Sequence, residues 1–191
     1  MGMFAWIALV VAVVAVVAWY LSYTAARLDR LHTKLEGSVS SLDAQLVRRA
    51  EVVREVAGSG VLDPASAALL ADAASASLDA ADVASLHDEV RSDGIGEQRA
   101  ETESMLTEVL RTTLTSDVIA ELRDENAGWP EVIERLRSAG QRVEIARRFH
   151  NEAVRDVRRL RHRPQVRYLG LAGHTPLPAP VEFDDRLPDG L

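Results

Sequence analysis

The chain of 191 residues contains no cysteine. Disulfide bonds, thiolate zinc sites and thiol nucleophiles are therefore excluded. Aromatic residues make up only 5% of the chain and are concentrated near its N-terminus, so it lacks the platforms on which single-stranded bases stack. Acidic side chains outnumber basic ones by 29 to 22, and we expect no nucleic-acid partner.

The sequence also lacks the patterns that mark a metal, cofactor or catalytic site. Its five histidines do not pair at helical metal-ligand spacing, and no Glu-x-x-His pair indicates a di-iron bundle. The Gly-x-Gly at residues 94–96 follows no strand, so it is not a phosphate loop. Ser59 lies between two glycines but lacks the pattern of a nucleophile elbow. We predict no catalytic, cofactor-binding or metal-ligating residue, and no enzymatic activity.

What the sequence does contain is one long apolar run. Residues 2–26 carry no formal charge, and a helix of this length reaches roughly 37 Å, against a hydrocarbon core of about 30 Å. Trp19, Tyr20 and Tyr23 cluster near its end, as aromatic side chains do at a membrane interface. The run is too long for a cleaved signal peptide and has no basic region before it. We predict that residues 1–26 form a retained transmembrane anchor.

The basic residues next to the anchor predict its orientation. None precedes it, whereas Arg27, Arg30 and Lys34 follow it. Since cytoplasmic flanks are enriched in Lys and Arg, we expect a single-pass protein of the cell (inner) membrane. Its N-terminus would lie outside and its body in the cytoplasm.

Charge is unevenly distributed after the anchor. Residues 59–129 hold 15 acids and 4 arginines, whereas residues 130–163 hold 10 arginines and 5 acids. The two segments can neutralise each other by packing side by side. Alternatively, the arginine face binds anionic lipid headgroups or an acidic partner.

Apolar residues after the anchor recur at steps of three and four, which predicts long amphipathic helices. From Leu28 to Ala57 this stripe is nearly heptad, as in a coiled coil, and nothing separates it from the anchor helix. The glycines of residues 58–60 end this helix. Asp63 and Pro64 open an alanine-rich second helix.

We expect that second helix to be broken near residues 77–82, because alanine buries little area. A third helix follows, and Ser116 caps a further segment that residues 126–128 end. A fourth helix runs from Pro130 to Pro164, and His150 is expected to pack at its seam with the first.

The sequence has no segment with the alternation of a strand. We predict an all-α fold in which an N-terminal transmembrane helix continues into an antiparallel bundle of about four long helices. In this prediction residues 1–26 are the anchor, 27–163 the helical bundle and 164–191 an extended, proline-rich tail.

Two segments resemble the signature helices of the LemA family, which are bacterial proteins with an N-terminal membrane helix and a helical domain. They read LDAQLVRRAEVVREV at residues 42–56 and VEIARRFHNEAVRDV at residues 143–157. The chain departs from the family pattern at Ser41, where Trp is common, and at His150, where Tyr is common. The resemblance implies a membrane-anchored antiparallel bundle and carries no agreed enzymatic activity.

Polar residues of these two segments are the candidate interaction site. If the first and fourth helices pack, some of these groups meet at the seam. They form either a paired polar layer that fixes helix register or a surface that recognises an anionic ligand or peptide. The candidates are Gln45, Arg48, Arg49, Arg147, Arg148 and Asn151, together with Arg155 on the basic face.

These features favour a scaffold or adaptor at the membrane surface. Its partners would be the lipid bilayer and either another protein or a second copy of the chain. The alternative is a lipid-organising or self-assembling protein that uses the arginine-rich last helix. We expect no cofactor in either case.

Overall fold

The computed structural model describes residues 2–86, 95–125, 129–168 and 177–191. Within these ranges every regular element is a helix, so the predicted all-α fold is confirmed. In chain order the helices are α1 (Met3–Gly58), α2 (Pro64–Leu86), α3 (Glu97–Thr113), α4 (Ser116–Glu125), α5 (Trp129–Arg161) and α6 (Pro164–Tyr168).

Helix α1 joins the apolar segment that is predicted to be the anchor to the bundle without interruption. It contains 56 residues and is about 84 Å long at 1.5 Å per residue. Residues 3–20 are not covered by any other described part of the protein, and the most apolar window of α1 has a mean hydropathy of 2.6. Among the described helices, it is the one long and apolar enough to cross a membrane.

The second part of α1 packs against α5, which runs antiparallel to it. Leu46 of α1 shares a buried apolar cluster with Val143 of α5. Nearer the anchor, Leu35 shares a cluster with Val157. Residue numbers in α5 therefore rise as those in α1 fall, as an antiparallel bundle requires.

The end of the bundle next to the anchor is closed by α6. Leu28 packs with Leu160 at the end of α5 and with Val166 of α6. Since Leu28 is two residues beyond the apolar run, this contact brings the C-terminal end of α5 to within one helical turn of the anchor.

The largest apolar cluster lies at the opposite end of the bundle, where five helices meet. Each helix contributes at least one side chain that is almost completely buried, and burying one such residue stabilises the fold by roughly 1.5–3 kcal/mol. These side chains include Val53 of α1, Leu70 of α2, Leu106 of α3, Ile119 of α4 and Leu136 of α5.

Helix α2 is continuous, so the predicted break near residues 77–82 is wrong. Ser77 is fully buried, and its hydroxyl donates to Glu103 Oε1 at 2.7 Å. A polar partner on α3 therefore stabilises a residue that looks unfavourable in the sequence alone. The predicted start of α2 is confirmed, because Asp63 Oδ1 accepts hydrogen bonds from the N–H groups of Ala65 and Ser66 at 3.0 and 3.1 Å.

Helix α4 begins one residue earlier than predicted, at the residue that was expected to cap it. Ser116 is already helical, and Thr115 caps the helix through its Oγ1, which accepts from the N–H of Val118 at 3.4 Å. Threonine caps helices by the same chemistry as serine. The predicted end of α1 is confirmed at Gly58. The predicted end of α4 at residues 126–128 lies outside the described residues.

The last described segment, residues 177–191, is here named the strap. It has no helix or strand and follows α5 from the level of Asn151 to that of Gly140. The predicted extended tail began at residue 164, but residues 164–168 form α6 instead. Pro164 explains this difference, because proline is favoured in the first turn of a helix.

Candidate functional site

A buried ionic cluster links α1 to α3. Arg49 Nη2 donates to Glu103 Oε2 at 2.7 Å, and Arg49 Nη1 donates to Thr107 Oγ1 at 3.1 Å. The side chains of Arg49 and Glu103 are 2% and 0% exposed. Such a pair is tolerated only if further hydrogen bonds compensate for the loss of water, and Ser77 supplies one to the second carboxylate oxygen.

A second arginine, Arg99, approaches the same carboxylate. Its Nε lies 3.0 Å from Glu103 Oε1, and its Nη1 donates to the carbonyl oxygen of Ser77. The nearest further acid is Asp43 on α1, whose Oδ1 is 3.9 Å from Arg99 Nη2. Two buried guanidinium groups therefore share one buried carboxylate, and the cluster depends on Glu103.

The strap is held by one amide side chain at its start. Asn151 Nδ2 donates to the carbonyl oxygen of Val181 at 2.9 Å, and Asn151 Oδ1 accepts from the N–H of Val181 at 2.8 Å. This pairing satisfies both backbone groups of one residue, as a neighbouring β-strand would. The pairing itself therefore recognises extended backbone, while the Val181 side chain is buried in the apolar cluster of Leu46 and Val143.

A charged pair holds the middle of the strap. Arg147 donates from Nε and Nη2 to the two oxygens of Asp185, at 2.7 and 2.9 Å. The Arg147 guanidinium also lies over the Phe183 ring, 5.6 Å from its centroid. The Asp185 side chain is 7% exposed, so this two-point interaction is largely screened from water and is specific for a carboxylate.

Helix α3 binds the strap from the other side through Asp184. The Thr107 hydroxyl donates to the Asp184 carbonyl oxygen at 2.7 Å, and Ser104 Oγ accepts from the Asp184 N–H at 3.2 Å. A hydrogen bond from Arg186 lowers the pKa of the Asp184 carboxyl to about 2. Because Thr107 also accepts from Arg49, the strap and the buried ionic cluster share one hydroxyl.

Apolar contacts hold the end of the strap. Gly140 of α5 faces Leu187, and a Cβ atom at residue 140 would lie 2.2 Å from Leu187 Cδ2. Leu191 packs against the large apolar cluster. Glycine at residue 140 therefore leaves room for the strap. We name the surface formed by Ser104, Thr107, Gly140, Arg147 and Asn151 the strap groove.

His150 is buried between α1 and α5, as predicted for the helix seam. Its Nδ1 lies 3.0 Å from Ser38 Oγ, and the Ser38 hydroxyl donates to the Leu35 carbonyl oxygen at 2.6 Å. Since its hydrogen is used in that bond, Ser38 Oγ is placed to accept a hydrogen bond from the Nδ1–H group of His150. Nε2 has no hydrogen-bond partner among the described atoms, and burial lowers the pKa of the imidazole.

The structure does not bring the seven candidate residues into one site. Arg49 belongs to the ionic cluster on α3, whereas Arg147 and Asn151 bind the strap. The others lie on the surface or at its edge. Arg48 pairs with Glu51 and Arg148 with Glu144, Gln45 is half-buried, and Arg155 is exposed.

Three important residues were not among the candidates. Glu103 and Arg99 complete the ionic cluster, and Asp185 binds Arg147. Asp185 is flanked by the charged residues Asp184 and Arg186, so the sequence does not single it out. Glu103 resembles the other acids of α3, and nothing in the sequence distinguishes it.

A shallow surface depression of about 550 Å³ lies along the outer face of α5. Its lining combines cationic, acidic, amide and apolar side chains: Ile145, Arg147, Arg148, Phe149, Asn151, Glu152 and Arg155. Among the described residues, no group of three or more His, Asp or Glu side chains is arranged to hold a metal ion.

No protein-family model, curated protein or solved structure matches this chain.

Proposed function

We propose that this chain is a single-pass membrane protein whose helical bundle acts as a scaffold or adaptor at the membrane surface. The observation that carries the proposal is the continuity of α1, which passes from an uncovered apolar segment into the bundle core. A continuous helix transmits position and orientation from the bilayer to the bundle. A flexible linker at this point would not hold the bundle at a set height.

The proposed orientation places the N-terminus outside the cell (inner) membrane and the bundle in the cytoplasm. It is supported by Arg27 and Arg30, which are exposed just beyond the anchor. The native chain has no cysteine, so a single introduced thiol reports without background. With Ser59→Cys, a membrane-impermeant reagent should label only lysed cells. With Gly2→Cys, it should label intact cells, and the reverse pattern would refute the orientation.

The adaptor role is tested from the basic face of α5. Arg155 is exposed and borders the surface depression, and a photo-crosslinking residue in its place samples whatever binds there in living cells. A discrete adduct with another protein supports the adaptor role. The same probe at Arg54, an exposed arginine on α1, is the control and should not give that adduct.

The second candidate function is the organisation of anionic lipid, and it is favoured by the charge at the anchor end of the bundle. Several arginines are exposed around the Leu28–Leu160 contact. The cations at this end already attract one carboxylate of the protein, because Asp156 lies within 4.0 Å of both Lys34 and Arg159. Such a cluster attracts acidic headgroups. Its members are Arg27, Arg30, Arg158, Arg159, Arg163 and Arg167.

Lipid binding is tested with the full chain in nanodiscs. If the cluster binds headgroups, phosphatidylglycerol should raise the melting temperature relative to phosphatidylcholine, and salt should weaken this effect. Replacing Arg158, Arg163 and Arg167 with Gln should remove the lipid dependence. Replacing Arg48 and Arg54, which are exposed on α1 away from this end, should leave it unchanged.

We also propose a relationship to the LemA family. It is supported by the two resembling segments, residues 42–56 and 143–157, which lie on α1 and α5 and pack against each other. This relationship would give the anchored bundle a family context without adding an activity.

A further inference from the structure

The strap is bound to the bundle in the manner of a separate peptide ligand. It is an extended segment, and four of the hydrogen bonds that hold it involve its backbone, at Val181 and Asp184. Peptides that bind as an added strand are recognised in the same way, with affinity from the backbone and specificity from alternate side chains.

The groove selects its ligand at two further points. Arg147 requires a carboxylate at the place of Asp185, because both of its hydrogen bonds go to carboxylate oxygens. The notch at Gly140 accepts a branched apolar side chain two residues later, at Leu187. The ligand class is thus an extended segment with a carboxylate and an apolar residue spaced two apart.

We propose that the strap groove also binds the strap of a second copy of this chain, so that neighbouring copies in the membrane exchange straps. A second copy offers the one ligand whose fit to the groove is visible, since it would reproduce every contact described above. Exchange of an identical segment loses no contact, so it is a low-cost route to dimers. The balance between the two arrangements then depends on the local concentration of copies.

The position of the anchor makes this exchange geometrically simple. If the chain is anchored as proposed above, neighbouring copies stand parallel, and each α6 lies at the same height next to the bilayer. The eight residues between α6 and the strap, 169–176, include two glycines and reach at most about 29 Å when extended. The level of Asn151 lies about 14 Å along α5 from that of Leu160, so a lateral reach of up to about 25 Å remains for a neighbouring copy in direct contact.

The test uses two full-length variants with different tags, co-expressed in the same membrane. One carries Arg111→Cys beside the groove, and the other carries Asp184→Cys on the strap. The native side chains are part-exposed and lie 3.4 Å apart. A short thiol crosslinker joins the two tags only if the strap of one copy lies in the groove of the other. The control replaces Arg111→Cys with Arg54→Cys, which lies on α1 away from the strap.

A second experiment reverses the charged pair. The copy with Arg111→Cys also carries Arg147→Asp, and the copy with Asp184→Cys also carries Asp185→Arg. Each copy then repels its own strap, but each groove matches the strap of the other copy. We expect the mixed-tag adduct to rise about tenfold or more over the unreversed pair, because a charge-assisted two-point interaction is lost within each copy and regained between them.

The outcomes separate this inference from the proposed anchoring. A mixed-tag adduct above the Arg54 control, increased by charge reversal, supports strap exchange. Protein found in the membrane fraction without such an adduct in either experiment overturns exchange and leaves the anchor intact. An adduct of the strap-groove thiol with a different protein overturns the choice of a second copy as the ligand. Protein found in the soluble fraction refutes the anchoring itself.

Discussion

Replacement of Glu103 by Gln is the sharpest test of how the bundle is held together. The carboxylate is fully buried and balances two buried guanidinium groups, those of Arg49 and Arg99. Glutamine has nearly the same shape but no charge. After the substitution, the nearest carboxylate to Arg99 is Asp43, at 3.9 Å and part-exposed.

The expected loss follows from the burial of the partners. Removing one member of a buried ion pair destabilises a protein by about 3–5 kcal/mol, and the amide of glutamine retains some of the hydrogen bonds. We therefore expect a loss of about 3 kcal/mol. In a chain of this size 1 kcal/mol corresponds to roughly 2–4 °C, so the melting temperature should fall by roughly 6–12 °C.

The assay is thermal unfolding of the full chain in detergent, followed by helical circular dichroism. Glu101→Gln is the matched control, because Glu101 lies on the same helix and is exposed, where a substitution changes stability by less than about 0.5 kcal/mol. Equal melting temperatures for the two variants would show that the Glu103 charge does not stabilise the bundle. A further check combines Glu103→Gln with Arg49→Met, which should cost less than the sum of the two single changes.

Three further predictions concern α1, α5 and the strap. Burial lowers the pKa of His150, so the unfolded chain binds a proton at this imidazole more readily than the folded chain does. The contribution of His150 to stability should therefore be full above about pH 6.5 and should fall as the pH decreases below that value. His150→Gln should reduce that dependence in melting curves recorded from pH 7.5 to 5. Gly37→Ala, in the middle of α1 with nothing near its Cβ, should stabilise the chain by about 0.5–1 kcal/mol, whereas Gly140→Ala should destabilise it because Leu187 must move. Asn151→Ala leaves the backbone N–H and carbonyl groups of Val181 unpaired and should lower the free energy of unfolding in urea by roughly 1–3 kcal/mol. An unchanged urea midpoint would contradict the binding of the strap by Asn151.

The helices could be predicted because their signals are local. Apolar residues such as Leu28, Leu35 and Leu46 repeat with the helical period, and Asp63 with Pro64 has the chemistry of a helix start. The break expected in α2 was wrong because Ser77 is stabilised by Glu103, which is 26 residues away along the chain. No local pattern contains that information.

The candidate site was harder to predict, because its contacts depend on which face of each helix meets which neighbour. Some of the candidate residues were expected to meet at the seam of α1 with α5, but Arg49 lies on the face of α1 that meets α3. Arg147 and Asn151 bind residues of the strap that lie 38 and 30 positions away from them in the sequence. An extended segment has no helical period, so its place on the bundle could not be read from the sequence.

We propose that the bundle stands on the membrane with its arginine-rich end at the headgroups. Arg163 lies between Leu160 and Val166, which pack against Leu28 beside the anchor. Ser59 follows the far end of α1, about 45 Å along the helix from Leu28. A fluorophore should be attached to Arg163→Cys or Ser59→Cys in bilayers that contain a headgroup-linked quencher. We predict strong quenching at residue 163 and none at residue 59. Equal quenching at the two residues, or quenching only at residue 59, would contradict it.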